Sequence, residues 1–180
     1  MNWAYVHLLV NHFPVVLSLL GLAAVIIAFI TRRRTVWLYA LATLVLAAIS
    51  APIATKTGEE GEDAAEHTTG VSRRDIHEHE EAAELATYIM IATGLLSAYG
   101  WWRLSRAGTD GRLPTWLGAV VAVGALASVG TVARASQLGG HILHGDNTLT
   151  SPPVVITPGI TTSGDSGAPA PVGRETEGER

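Results

Sequence analysis

The sequence predicts an all-α integral membrane protein, an up-and-down four-helix bundle with both chain ends outside the cytoplasm. Charged residues make up only 16% of the chain, whereas soluble domains usually carry about a quarter. Four stretches contain no charged side chain at all: residues 1–31, 35–55, 85–102 and 113–133. Each stretch reaches the roughly 18 to 20 residues that a helix needs to cross a hydrocarbon core.

The predicted spans lie within one transmembrane domain, residues 1–145. The third helix is expected to begin early because Ser72 and Asp75 fit the pattern of a capping box. The fourth is expected to be ended or loosened by Gly139-Gly140. Residues 146–180 are rich in Thr, Ser, Pro and Gly, which predicts a disordered extracytoplasmic tail. No internal repeat is evident. The four spans are expected to cover about residues 3–31, 36–55, 73–105 and 114–138.

Charge in the connecting loops predicts the orientation. The first loop contains Arg32–Arg34, and the third, residues 103–112, contains three arginines against one aspartate. Short loops rich in arginine stay in the cytoplasm, so the N-terminus, the second loop and the C-terminus are expected outside. The second loop, residues 56–84, is strongly acidic. No basic block suggests nucleic acid as a partner.

The candidate site consists of histidines, all of which fall on the outer side of this topology. Ionisable residues within or beside membrane spans are costly and are usually functional. One of them, His67, lies in the acidic loop and is expected to be solvated. The seven histidines are His7, His12, His67, His77, His79, His141 and His144.

His79 is favoured as an inward-facing ligand. Its helical neighbours include Ala82 and Ala83, and these small residues leave space beside the imidazole. His77 has arginine and glutamate neighbours instead, which predict a solvated, salt-bridged face.

Three further histidines are candidates. His12 lies on an apolar helix face, where it is either a ligand or bonded to a backbone carbonyl, such as one freed by Pro14. His7 can face inward near the outer surface, about 140° from His12, so the two do not share one ligand sphere. His144 follows two glycines, which permit close approach of the backbone to a ligand, or it belongs to a polar surface loop.

These residues resemble a known family. The opening His7-x4-His12-Phe13-Pro14, the segment His79-Glu80-Glu81-Ala82-Ala83 and the ending Gly139-Gly140 with His144-Gly145 are similar to the bacterial DUF2231 membrane proteins. The resemblance covers residues 1 to about 150 and departs from the family at His141 and Ile142-Leu143, so His141 stays an alternative ligand to His144. It implies a redox protein of the bacterial cytoplasmic (inner) membrane.

The leading hypothesis is a membrane-anchored b-type haem protein that transfers electrons at the outer face. Imidazoles would hold the iron, and Arg134 would either bind a haem propionate or snorkel to the interface. No general acid or nucleophile can be named, so an electron-transfer subunit with a redox partner is expected rather than a complete enzyme. The candidate haem ligands are His7, His12, His79 and His144.

Two alternatives remain open. Imidazole suits zinc, copper and iron equally well, so His12, His79 and His144 (or His141), with Glu80 or Glu81, are also a candidate site for a metal ion. The histidines can instead act only as polar contacts between helices of a structural membrane subunit.

Overall fold

Four long helices make up almost all of the described chain. The computed structural model describes residues 3–61, 73–108 and 111–144; for Ala4 and residues 141–144 it describes the backbone alone. No strand occurs among these residues. The helices are α1 (Trp3–Val10), α2 (His12–Thr31), α3 (Arg34–Glu59), α4 (Arg73–Arg106) and α5 (Thr115–His144).

Four stretches of helix are long and apolar enough to cross a membrane, as predicted. Helices α1 and α2 are two parts of the first span, Tyr5–Thr31. They are separated only at Asn11, whose backbone stays helical and whose N–H donates to the His7 carbonyl. The interruption precedes Pro14, because a proline offers no N–H to the carbonyl four residues before it.

The helices form an up-and-down bundle in which each span packs against the next and α2 also packs against α5. At one end, His7 of α1 reaches Ala54 near the end of α3. At the other end, Arg34 of α3 donates to the carbonyl of Leu104 near the end of α4, at 3.0 Å. We call these the histidine end and the arginine end.

The packing is compatible with a lipid environment, with many small side chains inside and many large apolar ones outside. Ala28, Ala40 and Ala125 are fully buried, whereas Ile30 and Val123 are 76% and 70% exposed. An apolar surface of this extent would make a soluble monomer aggregate. Small residues at helix contacts are typical of membrane bundles, because lipid provides no hydrophobic force between helices.

The last candidate membrane span, Thr115–Gly140, lies close to the predicted 114–138. Helix α5 itself continues to His144, so Gly139-Gly140 does not end it. Neither glycine has the positive φ of a glycine helix terminator. Gly139 instead lies against the imidazole of His79, which gives the position a packing role. Helix α3 also runs further than predicted, to Glu59, with Pro52 inside it.

A close helix contact joins α3 and α4. A Cβ placed on Gly94 would overlap the Cβ of Ala48. We therefore expect Gly94→Ala to destabilise the protein by about 1–3 kcal/mol through overpacking. The free energy of unfolding in detergent and denaturant would measure this.

Two variants provide the controls. Gly130 has open space where a Cβ would be placed, so Gly130→Ala should not destabilise the protein. Ala48→Gly should rescue Gly94→Ala, because the double variant moves the methyl group from one helix to the other. A Gly94→Ala protein as stable as the natural one would contradict this helix contact.

Candidate functional site

His7 is anchored by the last turns of α3. Its Nδ1 lies 2.9 Å from the carbonyl oxygen of Ala54 and 3.4 Å from the hydroxyl of Thr57. A carbonyl oxygen only accepts hydrogen bonds, so Nδ1 carries the hydrogen. The neutral ring of His7 therefore keeps its lone pair on Nε2. The side chain is half-buried between the helices.

His79 is anchored in the same way by α5. Its Nδ1 donates to the carbonyl oxygen of Ala135 at 2.9 Å. The residue is half-buried, and its ring lies against Gly139. Nε2 again carries the lone pair of the neutral ring. His79 faces the bundle as the sequence predicted; its role as a ligand stays a prediction.

The structure places His7 and His79 at the same end of the bundle, although one belongs to the first span and the other to the third. In the part of the chain that the structure describes, neither Nε2 has a hydrogen-bond partner. Histidines that bind metals typically donate the other ring N–H to a backbone carbonyl or carboxylate, which fixes the tautomer and the ring orientation. Both side chains have this arrangement.

His12 does not join them. Its side chain is exposed, and its Nδ1 donates to the Leu8 carbonyl of the same helix at 2.9 Å. The acceptor is therefore not the Val10 carbonyl that Pro14 leaves without its usual N–H. The ring lies along its own helix instead of crossing to a neighbour. A ligand role for His12 remains a prediction.

His77 lies on the solvated face that the sequence predicted. Its side chain is 71% exposed, with Glu80 at 3.9 Å and Glu81 at 3.4 Å. Its neighbour on the preceding turn, Arg74, pairs with Glu78 at 2.8 Å. These surface pairs contribute little to stability. They show that His77 faces solvent, whereas His79 on the same helix faces inward.

The remaining candidates have no described contact with this pair or lie outside the described side chains. Arg134 is exposed on α5, and among the described side chains it has no ion-pair partner. The backbones of His141 and His144 belong to α5, whereas their side chains, and all of His67, lie outside the described residues. Their predicted roles stay untested.

Asn11 was missed by the sequence reasoning. Its Oδ1 is enclosed by protein and has no hydrogen-bond partner among the described residues. An unsatisfied buried acceptor costs roughly 1–3 kcal/mol, and such a group in a native structure calls for a water molecule or a bound group. Asn11 lies four residues after His7 and so shares its helix face. The sequence signal that could have identified Asn11 is the spacing His-x3-Asn.

No larger ligand cluster forms in residues 3–61, 73–108 and 111–140. Within these ranges no three His, Cys, Asp or Glu side chains lie together as a metal ion would need. The site described by the structure is therefore a pair of imidazoles, with Asn11 one helical turn away from His7.

No family model, curated protein or solved structure matches the chain. The resemblance to the DUF2231 family therefore stays a prediction.

The carbonyl contacts predict the tautomers of the ligand-free protein. We expect His7, His79 and His12 to carry hydrogen on Nδ1, because each donates from that nitrogen to a carbonyl. His77, which faces solvent and glutamates, should exchange between forms. Nitrogen NMR of the imidazoles, assigned with single His→Gln variants, distinguishes the two tautomers. Hydrogen on Nε2 of His79 would contradict the geometry.

Proposed function

We propose that this protein is a membrane-anchored b-type haem electron-transfer protein, or a subunit of a membrane redox complex, in which His7 and His79 would hold the haem iron. One observation carries the proposal. Two imidazoles from different spans lie at the same end of the bundle, and each is held by an Nδ1 bond to a carbonyl of a further helix. This leaves two Nε2 lone pairs at the histidine end of the bundle.

A haem iron needs fewer protein ligands than a zinc ion does. A zinc ion in a structural site takes four protein ligands, and one in a catalytic site takes three. A haem iron already has four porphyrin nitrogens and needs only one or two side chains. The described residues supply two anchored imidazoles, which is a donor set that a haem iron can use.

The protein's own residues would orient the ligands and set their electronic properties. Donation from Nδ1 to Ala54 and Ala135 fixes each ring and makes Nε2 a stronger donor. When bound, the haem would supply one-electron redox chemistry. Arg134, which has no ion pair within the described chain, remains the candidate partner for a propionate. His12 and His144 remain candidates for a second haem.

We further propose that the protein lies in the bacterial cytoplasmic membrane with the histidine end outside. The arginine end carries Arg32–Arg34, Arg103 and Arg106 on or beside the helix termini, and arginines of this kind are retained in the cytoplasm. The redox partner would then dock at the extracytoplasmic face, where the haem would lie.

Cysteine labelling tests this orientation directly, because the natural chain contains no cysteine. Arg74 is 84% exposed at the histidine end, and Ala107 is exposed at the arginine end. On intact cells a membrane-impermeant maleimide should label Arg74→Cys but not Ala107→Cys. After permeabilisation both should react, which controls for accessibility. The opposite pattern would reverse the proposed topology.

A reduced-minus-oxidised visible spectrum tests the haem. The purified protein, from cells able to supply haem, should give the sharp band of a low-spin bis-histidine b-type haem. His7→Ala and His79→Ala should each abolish this band, because each removes an axial ligand. His77→Ala is the matched control and should leave the band unchanged, because His77 is exposed and pairs only with glutamates.

Other spectra would reject the proposal or assign different ligands. A natural protein without haem absorbance would reject the proposal, and metal analysis of that sample would then decide between an ion site and a structural subunit. A band retained in both ligand variants but lost in His12→Ala or His144→Ala would move the ligation to those residues.

A further inference from the structure

The supports of His7 and His79 have the same construction in two parts of the chain. His7 donates to Ala54 and lies against Gly58, and His79 donates to Ala135 and lies against Gly139. In both cases the glycine follows the accepting alanine by four residues, which is one helical turn.

The local sequences reflect this likeness. The segment from Ala54 reads Ala-Thr-Lys-Thr-Gly, and the segment from Ala135 reads Ala-Ser-Gln-Leu-Gly. Both match Ala-[Thr/Ser]-x-x-Gly. Each alanine is also the twenty-first residue of its helix, α3 or α5. We call each combination of the accepting alanine and the following glycine a histidine seat.

The arrangement of the spans agrees with a duplication. The first hairpin consists of the first span and α3, and the second consists of α4 and α5. A twofold rotation that exchanges the hairpins would place the first span on α4 and α3 on α5. It would therefore turn the contact between α3 and α4 into a contact between α5 and α2. Both contacts are present, and the two seats lie at the same end of the bundle.

The glycine in each seat lets the ring lie close to the helix. A Cβ at Gly58 would lie 3.1 Å from Cε1 of His7, and a Cβ at Gly139 would lie 3.0 Å from Cε1 of His79. These distances are below ordinary van der Waals contact between carbon atoms, about 3.5–4.0 Å. An alanine would therefore require the imidazole to shift by a few tenths of an ångström relative to the carbonyl that orients it.

We infer that the histidine end is a pseudo-twofold site built from two histidine seats, in which Gly58 and Gly139 are positioning residues that hold two nearly equivalent Nε2 donors. Such a site would take a ligand whose metal both Nε2 atoms can bind. The identity of this ligand rests on the proposed function, whereas the seats do not.

The two seats differ in one side chain. Thr57 of the first seat adds its hydroxyl at 3.4 Å from His7 Nδ1, and Leu138 occupies the equivalent position of the second. The donors are thus similar without being identical.

The test compares Gly58→Ala, Gly139→Ala and Gly140→Ala. Gly140 is adjacent to the second seat and has nothing within 4 Å of a Cβ, so it is the matched control. In the ligand-free protein, Gly139→Ala should shift the nitrogen NMR signals of His79 away from the Nδ1–H form and leave those of His7 in place. Gly58→Ala should do the reverse, and Gly140→Ala should do neither.

Haem titration provides the second readout. Each seat variant should bind haem roughly 10- to 100-fold more weakly, the loss usual for removing the support of a metal-binding histidine. Imidazole signals that do not respond to Gly58→Ala and Gly139→Ala would overturn the seats. Signals that respond in a protein that binds no haem would support the seats and reject the proposed function.

A double-mutant cycle tests the contact between glycine and ring in variants that fold poorly. If the ring contact causes the loss of stability in Gly139→Ala, the loss should disappear in a His79→Ala background. The same holds for Gly58→Ala in a His7→Ala background. A loss of equal size in both backgrounds would mean that the glycine serves helix packing alone and would contradict its role as a positioning residue.

Discussion

Close approach of the helices is the constraint on which the rest of the structure depends. Lipid tails are as apolar as the side chains that face them, so no hydrophobic force joins the helices, and packing contacts must do so. Small residues such as Ala48 and Gly94 let α3 and α4 meet. An imidazole is a short side chain, and it reaches the carbonyl of a neighbouring helix only in a bundle packed this closely. The histidine seats are therefore a consequence of the small residues in the core.

The carbonyl bonds of His7 and His79 matter more for orientation than for stability. A net gain of about 1 kcal/mol is typical of one hydrogen bond, and hydrogen bonds between membrane helices average about 0.6 kcal/mol. Such a bond cannot hold the bundle together. It does select one tautomer and one ring orientation at each position, and it leaves Nε2 as the donor on both rings. Orientation of this kind is what an axial ligand requires.

The sequence was sufficient for properties of single helices and insufficient for contacts between them. The charge-free runs gave the four spans, and neighbours at helical spacing gave the opposite directions of His77 and His79. The anchoring of His7 by α3 and of His79 by α5 depends on contacts between helices, which angles within one helix do not reveal. Gly139 was interpreted as a helix terminator because its partner, the His79 ring, lies on another helix. The likeness of the two seats was missed because their segments share only two identical residues and one conservative exchange.

A site divided between two hairpins links ligand binding to assembly. Each imidazole is fixed within its own hairpin, by α3 or by α5, so each half of the site can form before the hairpins meet. A ligand that bound both Nε2 atoms would join the hairpins directly. Because it would bind only the assembled bundle, its binding free energy would add to the stability of the contacts between α3 and α4 and between α2 and α5. The enclosed acceptor of Asn11, which has no partner among the described residues, has the opposite effect and destabilises the bundle. A bound group that donated a hydrogen bond to this oxygen would remove that cost.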